Sequence, residues 1–410
     1  MRASHITFET CTLVPIALRS SATVFSTGQR SFLVTAPEVC NELWGTTFGK
    51  SAERFAFAAT DSREYFPFVI TISYSLGICL LFQFALVLSG GVYVLAARET
   101  NKDTIKWSKM LRAVSISWVA MPPTTIELMN ARQLALKDWF VRGLNKIKDQ
   151  SSSLSGLIAL ELARAYVIVA NSWLATSEGK RTCYGITAIN TLVFLAWQVP
   201  RLRPAMQRHF THNPLSGVSY TLLTSMFSHQ SLVHLLFNSL ALISFGAAFP
   251  VADSQRPSVL HMSHSTDSYH FLAFYLFAGL FAGSLSHLAS TRIKLPRLIS
   301  ALSDPTRYKT LSSAEATISP SLGASGAIYG TVAMTALAMP ETNISLIFLP
   351  MFSFPITLGF AGMVGLDILG IVRGWRTFDH WAHLGGAVAG TTYFYYAPWE
   401  YVRWRVGPLT

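Results

Sequence analysis

The chain has 410 residues, of which 51% are hydrophobic and only 13% charged, a balance that excludes an ordinary soluble globule and points to a polytopic membrane protein. Its formal net charge is +11, yet the basic residues lie between apolar runs rather than along one polar face, so they read as orientation signals and not as a nucleic-acid footprint. The four cysteines, Cys11, Cys40, Cys79 and Cys183, form no C-x-x-C pair and indicate neither a zinc site nor a disulfide framework.

Residues 1 to 37 carry Arg2, Arg19 and Arg30 against the single acid Glu9 and are rich in Ser and Thr. That composition reads as a mitochondrial transit peptide, or as a basic disordered tail, and residues 1–66 are taken together as leader and N-terminal tail. From Pro67 to Ala97 nearly every residue is apolar, enough to cross a bilayer with tilt, so 67–97 is expected to be an extra transmembrane helix. Residues 98–183 form a connecting segment, with amphipathic stretches at Ile105–Val114 and Thr125–Ile147 and a serine-rich linker from Ser151. Within it, Leu157–Ala175 is apolar in bulk but holds Glu161 and Arg164 one helical turn apart, which favours an interfacial helix over a span.

After Arg181 come six apolar segments: Tyr184–Val199, Ser231–Phe249, His270–Ala289, Ser325–Met339, Ile356–Val372 and His380–Tyr396. The expected fold is therefore all-α, a six-helix bundle over 184–398 preceded by one extra helix, with 399–410 as a C-terminal tail. The first, third and fifth bundle loops are basic (Arg201, Arg203 and Arg208; Arg292, Lys294, Arg297, Arg307 and Lys309; Arg373 and Arg376), whereas the second has only Arg256 and the fourth has no Lys or Arg. By the positive-inside rule the odd loops face the matrix-equivalent side.

The chemistry centres on Pro320-Ser-Leu-Gly-Ala-Ser-Gly-Ala-Ile-Tyr-Gly330, where Ser325 opens an apolar helix that Pro340 stops. Fifteen residues at about 1.5 Å each reach about 22 Å, short of a bilayer core of about 30 Å, so a polar residue at the helix start lies below the membrane surface. The second, fourth and sixth bundle helices all start from basic loops and carry His234 and Asn238, Ser325, and His383 near their first turns. These residues thus share one depth. A serine hydroxyl needs a base within about 2.6–3.2 Å, and His383 is the expected partner.

Gly326 and Gly330 on one helix, and Gly386 and Gly390 on another, are spaced four apart, either as plain packing motifs or as the means of bringing serine and histidine together. His234 and Asn238 share a helix face and read either as donors to an oxyanion, with the Ser325 backbone N–H, or as interhelical hydrogen-bond glue. His229 is taken as a supporting residue and Asp367 as structural. The order G-x-S-x-G of a nucleophile elbow is absent, because Ala327 stands where the second glycine would, and no H-E-x-x-H occurs. His261 and His264 have ligand-like spacing but no further ligands.

These stretches resemble rhomboid intramembrane serine proteases, through Gly323-Ala-Ser-Gly326 with Tyr329, His234-Leu-Leu-Phe-Asn238 and Ala382-His-Leu-Gly-Gly-Ala-Val-Ala-Gly390. The likeness is similar in particular to the mitochondrial presenilin-associated subgroup, through Met206-Gln-Arg, Phe227-Ser-His, Ile347-Phe-Leu-Pro-Met-Phe and Phe378-Asp-His-Trp-Ala-His383. The resemblance implies a Ser325–His383 dyad without an aspartate, an oxyanion site using His234, Asn238 and the Ser325 backbone, and Gly323, Gly326, Tyr329, His229, Gly386 and Gly390 in support. It implies no metal and no cofactor. It further implies the mitochondrial inner membrane, with the amino terminus in the matrix and the carboxyl terminus in the intermembrane space. The implied substrates are single-span membrane proteins within the lipid bilayer, such as precursors of an inner-membrane dynamin-like GTPase and of cytochrome c peroxidase. One departure is the first bundle loop, which lacks the Trp-Arg pair of many bacterial relatives. Two rivals stand beside the protease: an inactive relative that binds transmembrane helices, and a transporter, which would call for ionisable residues along several spans.

Overall fold

The computed structural model describes residues 65–114, 122–256, 262–302, 318–346 and 349–407. The leader-like residues 1–37, His261, Arg307, Lys309, and Ile347 and Phe348 of the subgroup motif lie outside them. The chain divides into two units, residues 1–73 and 74–410; apart from residues 65–73 at the start of the first helix, every described element belongs to the second.

Helix α1 (Tyr65–Val114) runs without a break for 50 residues, through the amphipathic stretch that the sequence pattern separates from it. Next, α2 (Thr125–Gln150) starts at a capping box: the Thr124 hydroxyl accepts from the Glu127 N–H at 3.3 Å, and a Glu127 carboxylate oxygen accepts from the Thr124 N–H at 2.8 Å. α3 (Gly156–Ala175) lies against it, the Tyr166 hydroxyl donating to the Phe140 carbonyl at 3.1 Å. α3 is long and apolar enough to cross a membrane, while its Glu161–Arg164 pair sits exposed at 2.6 Å.

The bundle begins with α4 (Glu178–Gln198), which turns by 98° at Pro200, where the missing N–H ends the helix, into α5 (Arg203–Phe210). After the short α6 (Thr221–Ser225) come α7 (Leu232–Gly246), α8 (Phe249–Ser254), α9 (Ser268–Ala289), α10 (Leu295–Leu302) and α11 (Ser325–Ala338). A two-stranded antiparallel hairpin follows, β1 (Asn343–Leu346) and β2 (Leu349–Pro355), pairing Asn343 with Pro355 and Ile344 with Phe354. The chain ends in α12 (Ile356–Arg373), α13 (His380–Tyr396) and α14 (Trp399–Val406). α4, α7, α9, α11, α12 and α13 stand at the six predicted apolar segments, so the described chain has the one-plus-six arrangement. The sequence pattern does not show the hairpin, and α14 forms where that pattern gives only a tail.

Packing explains which helix stands where. Aromatic rings fill one end of the bundle: Phe249, Phe271, Phe274 and Tyr275 are fully buried, and Tyr393 contacts Phe274 at 4.8 Å between ring centroids. Tyr93 of α1 stacks on Tyr393 at 6.2 Å and 22°, which docks the extra helix on α13. Toward the other end, small residues replace rings, and α9, α11 and α13 come within backbone contact of one another. A Cβ on Gly326 would stand 2.6 Å from the Ala282 Cβ, and one on Gly330 would stand 2.9 Å from the Ala278 Cβ. With little apolar contrast between lipid and side chain, such close backbone packing is the main attraction available.

Candidate active site

Ser325 is the first residue of α11, placed by a strand-like lead-in. His212 and Ser321 form an antiparallel bridge with both backbone hydrogen bonds at 2.9 Å, and the Gly323 N–H donates to the Ser225 carbonyl at 2.9 Å. Gly323 then takes φ +124°, a conformation that side chains rarely adopt, and a Cβ there would lie 2.8 Å from the His234 ring. Only glycine meets both conditions.

His383 lies in the first turn of α13. The Asp379 carboxylate caps that helix, accepting from the Ala382 N–H at 3.2 Å and, through its other oxygen, from the Ser286 hydroxyl at 2.6 Å. Nε2 of His383 sits 2.9 Å from Oγ of Ser325, the distance a base needs to take the serine proton. The Tyr329 ring, one turn along α11, stacks on the imidazole at 4.3 Å and 11°. Gly386 and Gly390 make this meeting possible, because a Cβ at either would overlap the carbonyl oxygen of Gly326 or Gly330.

A carboxylate that the sequence pattern gives only a structural role stands on the far side of the imidazole. Asp367, 3% exposed on α12, brings Oδ1 to 3.0 Å from His383 Nδ1 and 2.6 Å from His380 Nδ1. An ionised carboxylate only accepts, so each Nδ1 carries the proton and donates. His380 fits because Gly370 leaves room for its ring, and the Phe378 ring lies 6.2 Å from that of His383. Asp367, His380 and His383 bring one oxygen and two ring nitrogens within 4.8 Å of one another. A divalent cation could use such a spacing; in this structure the two Nδ1 atoms share Oδ1 of Asp367, while its Oδ2 and His380 Nε2 have no hydrogen-bond partner among the described residues.

The expected oxyanion donors are less uniformly placed. His234 lies against Gly323, two residues before the serine, and His229 is buried with its ring 4.8 Å from that of His234. Asn238, one turn farther along α7, donates from its amide nitrogen to the His234 carbonyl at 2.9 Å. Its amide nitrogen thus bonds to the backbone of its own helix in this state, not to a neighbouring helix.

Support from the first bundle loop was also not anticipated. His212 Nε2 stands 3.0 Å from His287 Nδ1, and His212 Nδ1 stands 2.9 Å from the Thr221 hydroxyl. Burial, with nearby His287 adding to it, pushes the His212 imidazole down to about 3. It is neutral at physiological pH and serves as a fixed strut behind Ser321. Trp197 anchors the same region, its indole N–H donating to Ser228 at 2.8 Å.

Comparison with known proteins agrees with this architecture. The family model for the rhomboid domain matches residues 216–399, which contain Ser325, His383, His234 and Asp367. The chain is 36% identical over 225 residues to the presenilin-associated rhomboid-like protein, mitochondrial, of Homo sapiens, covering 55% of this chain and 50% of that one. It is 30% identical over 222 residues to Rhomboid protein 1, mitochondrial, of Saccharomyces cerevisiae, covering 53% of each, and 30% identical over 222 residues to RHOMBOID-like protein 12, mitochondrial, of Arabidopsis thaliana, covering 52% of this chain and 58% of that one. The match thus spans about half the length of these relatives. No solved structure matches the chain.

Proposed function

The chain carries a rhomboid domain and is a multi-pass member of the rhomboid family; proceeding from that membership, we propose that it is an intramembrane serine endopeptidase acting on single-span membrane proteins. The observation that carries this reading is the 2.9 Å contact between Ser325 Oγ and His383 Nε2 inside an apolar bundle. A half-buried serine and a buried imidazole at that distance have a ready chemical use and little structural need.

The steps of this reading start from that contact. A substrate helix, unwound near small or helix-breaking residues, enters beside α12 and presents a peptide carbonyl to Ser325. Oγ bonds to the carbonyl carbon as its proton passes to Nε2 of His383, and the carbonyl electrons move to the oxygen. That oxyanion takes hydrogen bonds from the Ser325 backbone N–H and from His234, with Asn238 released from the His234 carbonyl to join them. The imidazolium then protonates the departing amine as the C–N bond breaks, and water, giving its proton to His383, frees the acid and restores the serine. An intact helix satisfies its own backbone in lipid, so a locally unstable segment is the cheaper substrate.

The named relatives are mitochondrial, and residues 1–37 have a leader-like composition, so the membrane in this reading is the mitochondrial inner membrane. In this reading the amino terminus lies in the matrix and the carboxyl terminus in the intermembrane space, an orientation that the alternating loop charges support. A fluorophosphonate probe tests the chemistry without a known substrate. Labelling that maps to Ser325 and vanishes in His383→Ala supports the reading, whereas a folded native chain that stays unlabelled favours a helix-binding protein without catalysis.

A further inference from the structure

Asp367, His380 and His383 crowd the donor atoms of a metal site into one small volume, which the resemblance does not imply. Oδ1 of Asp367 stands 2.6 Å from His380 Nδ1 and 3.0 Å from His383 Nδ1. The hydrogen bonds among them are unevenly distributed. Both Nδ1 atoms donate to the same oxygen, while Asp367 Oδ2 and His380 Nε2, on residues only 3% and 6% exposed, have no partner among the described residues. Buried polar atoms without partners are costly. Two imidazoles and a carboxylate are the donors of a zinc-type site with an open fourth position. Around an ion about 2.0–2.2 Å from each ligand the donors stand about 3.3 Å apart, so these three need to separate by less than about 1 Å. Trp375 and Phe378, 50% and 62% exposed, set their rings 6.5 and 6.3 Å from that of His380, so the cluster lies just under the loop between α12 and α13, where an ion arrives from the aqueous side.

Resting on the protease reading, we propose that Asp367, His380 and His383 form an inhibitory site for a zinc-class divalent cation, held by the Asp367 carboxylate and by Nδ1 of both histidines. The inhibition follows from the tautomer. A neutral imidazole that coordinates through Nδ1 carries its proton on Nε2, and Nε2 of His383 is the atom 2.9 Å from Ser325 Oγ. Without the ion, Nδ1–H donates to Asp367 and Nε2 accepts from the serine. With it, Nε2–H faces the serine and cannot take its proton. Each histidine keeps one proton, moved from Nδ1 to Nε2, and the carboxylate stays ionised, so coordination needs no net proton loss. Removing the ion restores the base. Imidazole ligands favour Zn²⁺, Co²⁺ and Cu²⁺ over Mg²⁺ and Ca²⁺, which take oxygen ligands.

The purified full chain in detergent, cleared of metal with a chelator, is titrated with CoCl₂ or ZnCl₂, with MgCl₂ as the control. Two readouts run together: the visible absorption of bound Co²⁺, which does not depend on activity, and the rate of fluorophosphonate labelling, with Ser325→Ala as the blank. The native chain is expected to bind Co²⁺, and saturating Zn²⁺ to slow its labelling by about tenfold or more, with recovery on adding EDTA and no effect of Mg²⁺. Partners of metal ligands are alone worth about 10- to 100-fold in affinity, so His380→Gln and Asp367→Asn, each compared with its own metal-free state, are expected to weaken Co²⁺ binding by at least about tenfold. His264→Gln, in a separate His–Asp pair, is expected to bind as the native chain does. Native binding in His380→Gln or Asp367→Asn would overturn the proposal, as would labelling at the metal-free rate under saturating Zn²⁺. Should neither variant stay monodisperse, X-ray absorption at the zinc edge of the loaded native chain decides: two imidazoles with a carboxylate oxygen support the site, and fewer than two imidazoles contradict it. A native chain that binds Co²⁺ through His380 but is never labelled would support the cation site and sink the protease reading instead, so the two fail separately.

Discussion

The backbone carbonyl of Gly326 occupies the space into which a side chain on Gly386 would project. The same holds one turn on, between Gly330 and Gly390, so α11 and α13 are held together by two pairs of glycines. The separation of Ser325 and His383 is set by this contact and not by the two residues alone.

Gly386→Ala is therefore expected to destabilise the protein by about 1–3 kcal/mol or more and to abolish serine labelling even where the protein still folds. Gly362→Ala on α12, where nothing lies within 4 Å, is the matched control, expected within about 0.5 kcal/mol of native. Thermal unfolding in detergent together with probe labelling checks both. Native-like labelling of Gly386→Ala would show that the approach of the two helices is not what sets the site.

How much of this was readable beforehand follows from the residues. The six bundle helices stand where apolar runs end at prolines, glycines or charges, as at Met339-Pro340 and at Arg373-Gly374, where Gly374 adopts φ +70°. Ser325 and His383 were legible because each sits among glycines spaced for close packing. The sequence pattern gives Asp367 only a structural role. Its nearness to His383 depends on how α12 and α13 fold back on each other, and no spacing in sequence conveys that. The hairpin was hidden for a different reason: β1 alternates polar and apolar residues over only four positions, Asn343 to Leu346, and β2 is nearly all apolar, too little pattern to separate strand from loop. The His212–His287 strut joins residues 75 apart, a contact that only the folded chain shows.

His234→Ala removes the ring that lies against Gly323. With one oxyanion donor lost, kcat is expected to fall by about 10²- to 10³-fold while KM stays near native. Steady-state cleavage separates the two parameters; an unchanged kcat would return His234 to a packing role.

Arg403 of α14 is 2% exposed, donating to the Asn101 side chain at 3.0 Å and to the carbonyls of Ser263 and Met262 at 2.9 and 3.2 Å. Burial pushes its guanidinium down to about 10, against nearby Glu400 and Asp267, so it is still charged at neutral pH. Arg403→Met leaves these acceptors without their donor and is expected to cost on the order of 3 kcal/mol. The measurement is the unfolding midpoint, and a midpoint unchanged within error would show that the carbonyls find other partners.

His264, in the second bundle loop, pairs with Asp267 at 2.8 Å. Burial alone would lower the pKa of this imidazole, but the hydrogen bond and charge of Asp267 outweigh it, and the group titrates above its ordinary value. Because the folded value exceeds the unfolded one of about 6.5, the stabilisation is fully present below that pH and is lost as pH rises through the folded value. The native chain should lose its stability advantage over His264→Gln on going from about pH 6 to alkaline conditions. An advantage that grows with pH would reverse the sign of the argument.

The most direct test of the central claim is cleavage of a single-span membrane substrate by the purified chain in lipid vesicles, beside Ser325→Ala and His383→Ala. The account predicts product from the native chain and none above background from either variant. Product from Ser325→Ala at the native rate would contradict it.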